Sequence, residues 1–320
     1  MGEALLEVKN LTTYFETLRG YVRAVENVSF EIRKGEAFGL AGESGCGKTT
    51  TALSILRLLP PNGRIISGKI LFEGKDLLKL SDEEYRKEIR WKGISVIFQG
   101  AMNSLNPVMS VGDQIAEAIM VHENVSKDEA LERAGKLLDL VGIGAERVDR
   151  YPHELSGGMR QRAIIAMSLA CNPRLIIADE PTTALDVIIE AQVLKVMKDL
   201  QRKLNLSMLV ISHDLSMIAE TCERIAIMYA GKIVEMGDIV KVYKDPLHPY
   251  TQRLINAFPS IIGPKKELAT ISGFPPDLLS PPPGCRFHPR CPYAKDKCRK
   301  EEPPLVEIDK DRYVACYLVG

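Results

Sequence analysis

The sequence predicts an α/β fold with a parallel sheet covered by helices, on three observations. First, Gly42-Glu43-Ser44-Gly45-Cys46-Gly47-Lys48-Thr49 has the pattern GxxxxGKT and lies between an apolar run, Ala37 to Ala41, and a helix-like segment beginning near Thr50. Second, the strongly apolar, β-rich runs Arg174 to Ala178 and Ser207 to Ser212 flank a helical stretch from Asp186 to about Lys203. Third, the earlier of these runs ends in two carboxylates, Asp179-Glu180, at the sheet edge where such folds bind ligands.

The first stretch is a phosphate-binding loop. Its glycines let successive backbone N–H groups turn inward around an anion, with the positive end of the following helix behind them. Lys48 reaches the outer phosphates and the Thr49 hydroxyl ligates magnesium. The nucleotide-contacting set therefore comprises Gly42, Glu43, Ser44, Gly45, Cys46, Gly47, Lys48, Thr49 and Thr50. A strand before and a helix after separate it from an ordinary glycine turn.

The elements follow in order. Residues 5 to 41 alternate apolar and polar groups, as in Leu6-Glu7-Val8 and Val28-Ser29-Phe30-Glu31-Ile32, and predict a small antiparallel sheet leading into the loop. A helix from Thr50 to about Leu59 stops at Pro60-Pro61-Asn62-Gly63. Short strands follow at Gly68 to Phe72 and at Gly93 to Phe98, the latter ending at Gln99. Helical patterns at Val111 to Val121, at Lys127 to Val141 and after Ser156 predict a mainly helical insertion before the two apolar strands. Prolines crowd the chain from Pro246 to Pro304, which places a boundary near residue 245 and predicts an irregular segment beyond it.

Composition narrows the function. The 320 residues carry 42 basic and 42 acidic side chains, so no global field favours a nucleic-acid backbone and none is expected as partner. The longest uncharged apolar stretch, Ala163 to Cys171, falls short of the ~20 residues of a membrane span. Met1 to Lys9 has charges and no signal-like apolar core. A soluble cytoplasmic protein is expected, able to dock on a membrane protein.

Asp179 is positioned to hold magnesium through water, and Glu180 to accept a proton from the attacking water of a phosphoryl transfer. Leu155-Ser156-Gly157-Gly158-Met159-Arg160-Gln161-Arg162 is a second glycine site, with Ser156 capping a helix and the glycines exposing N–H groups to an anion.

The phosphate loop, Gln99, the LSGGMRQR stretch, the strand ending in Asp179-Glu180, Ala184-Leu185-Asp186 and His213 occur in the order and approximate spacing of the ATP-binding cassette ATPases, and residues 4 to 245 resemble that family. The resemblance implies a P-loop NTPase cassette over residues 1–245, with a RecA-like parallel core, an antiparallel β subdomain and a helical subdomain at about 100–170. It implies ATP hydrolysis in a head-to-tail dimer, each ATP held by Lys48 of one subunit and by Ser156, Gly157 and Gly158 of the other. Gln99 resembles the residue that senses magnesium and the lytic water, joining Thr49 and Asp179 around the ion. His213 resembles the switch histidine that contacts the γ-phosphate and orients Glu180, and Asp186 the aspartate that communicates across the dimer. Phe15 resembles the adenine-stacking aromatic, with Tyr14 as alternative.

Ser104-Leu105-Asn106-Pro107-Val108-Met109, Asp245-Pro246-Leu247-His248-Pro249-Tyr250-Thr251 and the cysteine-rich tail resemble the dipeptide and oligopeptide importer subgroup. Where many relatives have Asp-Pro after the glutamine, this chain has Gly100-Ala101, a change expected on the permease-facing surface. The implied partners are a second cassette, two membrane permeases and an external peptide-binding protein, with the chain peripheral on the inner face of the cell membrane. Nickel or another solute as cargo, or a soluble cassette acting on DNA or ribosomes, are the competing readings.

Of the seven cysteines, Cys285, Cys291, Cys298 and Cys316 crowd the tail. Four thiolates can close a tetrahedral shell, and zinc and a [4Fe-4S] cluster are both chemically reasonable. Tight CxxC pairs typical of zinc are absent. The family resemblance adds weight to the cluster, so residues 246–320 are expected to form a small metal-binding extension in which the group is structural.

Overall fold

The computed structural model describes residues 2–183, 185–257 and 273–319. Along the chain the strands are β1 (Ala4–Thr17), β2 (Gly20–Arg33), β3 (Ala37–Ala41), β4 (Gly63–Phe72), β5 (Lys75–Asp76) and β6 (Ile94–Ile97). They continue with β7 (Leu175–Asp179), β8 (Ser207–Ser212), β9 (Arg224–Tyr229), β10 (Lys232–Asp238), β11 (Val306–Asp309) and β12 (Arg312–Val314). The chain forms two compact units.

The first unit is built from Lys79–Val210 with Ile32–Ala37 and a short N-terminal stretch. In it β6 pairs in parallel with β7, from Ile94 opposite Leu175 to Ile97 opposite Ala178. Every residue of β7 is buried, which is why the strand reads as an unbroken apolar run. Helices Val111–His122, Lys127–Leu140 and Gly157–Ser168 stand where the sequence pattern puts them. Each begins on a serine, Ser110, Ser126 or Ser156, whose hydroxyl accepts the backbone N–H three residues on. Ile115, Ile119, Ala134, Leu138 and Ala166 form their shared apolar face, all fully buried. Arg133 ties this bundle together, donating to Glu123 at 3.0 Å and to the Ala170 carbonyl at 3.2 Å. The long helix Val187–Leu204 is capped by Asp186 and ends at Asn205 in the left-handed conformation, with φ of 50°.

The second unit takes in Ala4–Glu31, Phe38–Leu78 and the chain from Ile211 onward. One sheet has the order β2-β1-β4-β5, the antiparallel sheet the alternation predicts. Its third strand begins at Gly63, not Gly68, because Gly68 sits at a positive φ of 110° inside it and breaks the periodicity. A second set of neighbouring strands runs β11-β12-β10-β9-β3, with β3 and β9 parallel and the rest antiparallel. The β9–β10 hairpin turns through Ala230 and Gly231, both at positive φ. The described part of the proline-dense tail is largely irregular, holding short helices at Pro249–Asn256 and Asp296–Lys300. The tail then returns as β11 and β12 to extend the sheet, Glu235 pairing with Val314. Among the described residues no helix is long and apolar enough to cross a membrane.

Candidate active site

In the second unit the phosphate loop connects β3 to the helix Lys48–Ile55. Gly42 has φ of 150°, and a Cβ there would stand 2.2 Å from the Met228 carbonyl oxygen, so no side chain fits. Lys48 is buried, and its ammonium donates to the carbonyls of Gly42 at 2.8 Å and Glu43 at 3.1 Å. Ser44, Gly45 and Thr49 are exposed, whereas Cys46 and Gly47 are buried and Thr50 is half-buried. Burial pushes the Cys46 thiol above its ordinary range, leaving it a neutral filler of the turn.

Phe15 is half-buried on β1, opposite Gly63, where a Cβ would come within 2.9 Å of its ring. Tyr14 points to the other face, beside Glu26, Arg23 and Arg286; burial and then Glu26 raise its phenol. His213 is exposed just after β8, ahead of Asp214, which caps the helix Leu215–Thr221.

The first unit holds the carboxylates. Asp179 is the buried last residue of β7, and Glu180 follows with φ of 48°, a left-handed conformation costly for a residue with a Cβ. That twist turns the Glu180 carboxylate toward Gln99, whose amide donates to it at 2.7 Å. The Thr183 hydroxyl adds a bond to the Glu180 carbonyl at 3.0 Å. Gly100, at φ of 67°, opens a short turn that buries Ala101.

The Ser156 stretch belongs to the same unit. Ser156 is exposed and caps its helix by accepting from Met159 N–H at 3.3 Å. Gly157 is half-buried, and Gly158 is buried where a Cβ would meet Ile189 Cγ2 at 2.5 Å. Asp186 accepts from the N–H groups of Ile188 and Ile189, locking the start of the Val187–Leu204 helix. Ala184 lies outside the described residues.

Two residues to which the sequence gives no role at the nucleotide site reach the phosphate loop from the tail. Arg290 grips the Glu43 carboxylate with both terminal nitrogens, at 2.7 and 3.0 Å. Tyr250 accepts the Glu43 backbone N–H on its phenolic oxygen at 2.9 Å. A packed cluster of Tyr229, Tyr250, Phe287 and His248 supports both, with Tyr229 and Tyr250 centroids 4.6 Å apart. Buried Glu235 fixes the chain there by accepting the N–H groups of Leu247 and His248.

Cys285, Cys291, Cys298 and Cys316 line one small cavity in this unit. Burial first, and then the neighbouring sulfurs, push the Cys285 thiol up to about 11 and raise Cys291 and Cys316. Among the described residues no three His, Cys, Asp or Glu side chains form a group that could hold a metal ion, so the metal-binding character expected of the tail is not established by the geometry.

Residues 25–183 match the family model described as ABC transporter, and residues 234–298 that described as oligopeptide/dipeptide transporter, C-terminal region. The chain is 49% identical over 319 residues to the oligopeptide transport ATP-binding protein OppD of Bacillus subtilis, covering 98% of this chain and 89% of that protein. It belongs to the ABC transporter family.

Within the family it is also 48% identical to the dipeptide transport ATP-binding protein DppD of Bacillus subtilis (99% of this chain, 95% of that protein). The OppD protein of Escherichia coli is 46% identical (99% and 94%). The dimeric ATP-binding cassette MJ0796, in a post-hydrolysis state bound to ADP and Pi, superposes with a TM-score of 0.65 at 28% identity, covering 73% of this chain and 98% of that one. The chain is thus an ABC ATPase of the oligopeptide/dipeptide importer type.

Proposed function

We propose that this ABC ATPase hydrolyses ATP to drive uptake of dipeptides or oligopeptides through separate permease subunits, the peptide arriving on an external binding protein. The observation that supports the catalytic part is the Gln99–Glu180 hydrogen bond, which orients a carboxylate at the carboxyl end of a parallel strand, the kind of group that serves as a general base. In this reading Glu180 is the base, and Lys48 with the loop N–H groups binds the phosphates. Thr49, Gln99 and Asp179 supply oxygen ligands of the hard kind that magnesium prefers. His213 meets the γ-phosphate, Phe15 stacks on adenine, and Ser156, Gly157 and Gly158 close over the ATP of a second cassette, a different chain. Asp186 communicates across that pair.

A groove in the helical unit supports the permease partner. Ser104, Asn106 and Met109, from a stretch that resembles the peptide importers, line it with Trp91, Val121 and His122. A groove that mixes apolar and polar side chains suits a short helix from a membrane subunit, which supports a position on the inner face of the membrane.

The cysteine cavity supports a [4Fe-4S] cluster held by Cys285, Cys291, Cys298 and Cys316. All four residues line that one cavity, and four thiolates are the ligand set such a cluster takes. Bound there, the cluster would cross-link the tail structurally.

Cargo is tested by reconstituting the chain with its cognate permeases and receptor in proteoliposomes. Peptide-loaded receptor is expected to accelerate ATP hydrolysis; stimulation by nickel and by no peptide would overturn the cargo assignment.

A further inference from the structure

A carboxylate inside a phosphate cradle is an electrostatic problem. Glu43 is the second residue of the loop, and a free negative charge there would repel the triphosphate that the loop's N–H groups attract. The tail answers it: the Arg290 guanidinium, with a side chain only 5% exposed, takes both Glu43 oxygens. Its Nη1 also lies 3.3 Å from the Tyr229 hydroxyl, which fixes the approach. The rest of Glu43 is equally committed, with its N–H on Tyr250 and its carbonyl on Lys48.

We propose that Arg290, aided by Tyr250, is a positioning residue for ATP binding: from the C-terminal segment it neutralises Glu43 and fixes its carboxylate, so that the phosphate loop receives the nucleotide without a free repelling charge. Arg290 touches no reacting atom. It acts through Glu43, and its removal leaves an uncompensated carboxylate beside the phosphates. The clamp gives the tail a route to nucleotide affinity whatever group the cysteines hold. The inference rests on reading Gly42 to Thr49 as the ATP cradle.

The test is equilibrium binding of a fluorescent ATP analogue to the full chain, with melting curves to confirm folding. Arg290→Ala is expected to weaken binding on the order of tenfold, the size of one partly screened unit charge, and to raise KM for ATP more than it lowers kcat. Arg290→Lys keeps the charge without the two-pronged grip and falls between. Glu43→Gln in the Arg290→Ala background is expected to restore affinity to within about threefold, since the repulsion is gone. A purely structural clamp would not be rescued by removing its second partner. Unchanged affinity in folded Arg290→Ala, or no rescue by Glu43→Gln in that background, would each overturn the proposal; where Arg290→Ala fails to fold, Arg290→Gln, which keeps much of the side chain's bulk without its charge, carries the same test. Lys48→Ala separates the two readings: it must abolish binding, and if it does not, the cradle assignment itself is wrong.

Discussion

Gln99 Nε2 donates a 2.7 Å hydrogen bond to Glu180 Oε2, across 81 residues of sequence. The bond exists because Glu180 departs from the extended path of β7 into the left-handed region, φ 48°, where its carboxylate swings toward the end of β6. Gln99 therefore orients the carboxylate. Gln99→Ala is expected to lower kcat by about a hundredfold, as a misplaced reacting group does, while the dissociation constant for ATP changes far less. Single-turnover hydrolysis beside equilibrium binding separates the two, and a loss confined to binding would contradict the assignment.

Buried His248 predicts an acid limb of stability. Burial drives its pKa from an ordinary 6.5 to about 3, and its Nδ1 accepts the Tyr250 N–H as a helix cap. The folded state holds the ring neutral, while the unfolded chain protonates it below 6.5. This contribution is therefore complete above that value and is lost as pH falls toward 3, amounting to about 2 kcal/mol between pH 7 and pH 5. His248→Asn keeps an acceptor at the cap without titrating, so urea unfolding at the two pH values should show this loss shrink. An equal loss in both proteins would contradict it.

The contact of Gly158 with Ile189 predicts a steric cost. Gly158→Ala places a Cβ 2.5 Å from Ile189 Cγ2 and is expected to destabilise the chain by about 1–3 kcal/mol, the range of overpacking. Ile189→Ala in the same chain makes room, and unfolding free energies of the double variant should show most of the cost removed.

What could be read from the sequence was what is local. The phosphate loop is a run of consecutive residues, a strand delivers Asp179 and Glu180 together, and Ser156 precedes the helix it caps, so each signature is contiguous. The β9–β10 hairpin escaped because Arg224–Tyr229 is buried throughout and shows no period, only an apolar run too short to tell strand from helix. The Arg290–Glu43 clamp escaped because no spacing rule connects residues 247 positions apart. The His248 and Tyr250 stretch was legible as a subgroup signature, but its work, capping a helix and holding Glu43, is visible only in three dimensions.

The cluster proposed for the four cysteines predicts a coloured protein when the chain is prepared without oxygen. Iron and acid-labile sulfide should be stoichiometric with a broad visible absorbance, and Cys298→Ser, altering the most buried of the four, should lose both and melt earlier. Stoichiometric zinc without iron would contradict the cluster.

The most direct test of the account is Glu180→Gln, assayed for ATP binding and for hydrolysis in the presence of its partner cassette. The account predicts affinity near wild type with turnover reduced by at least about a hundredfold, since the proton acceptor is gone while the phosphate cradle is intact. Turnover near the wild-type rate would contradict it.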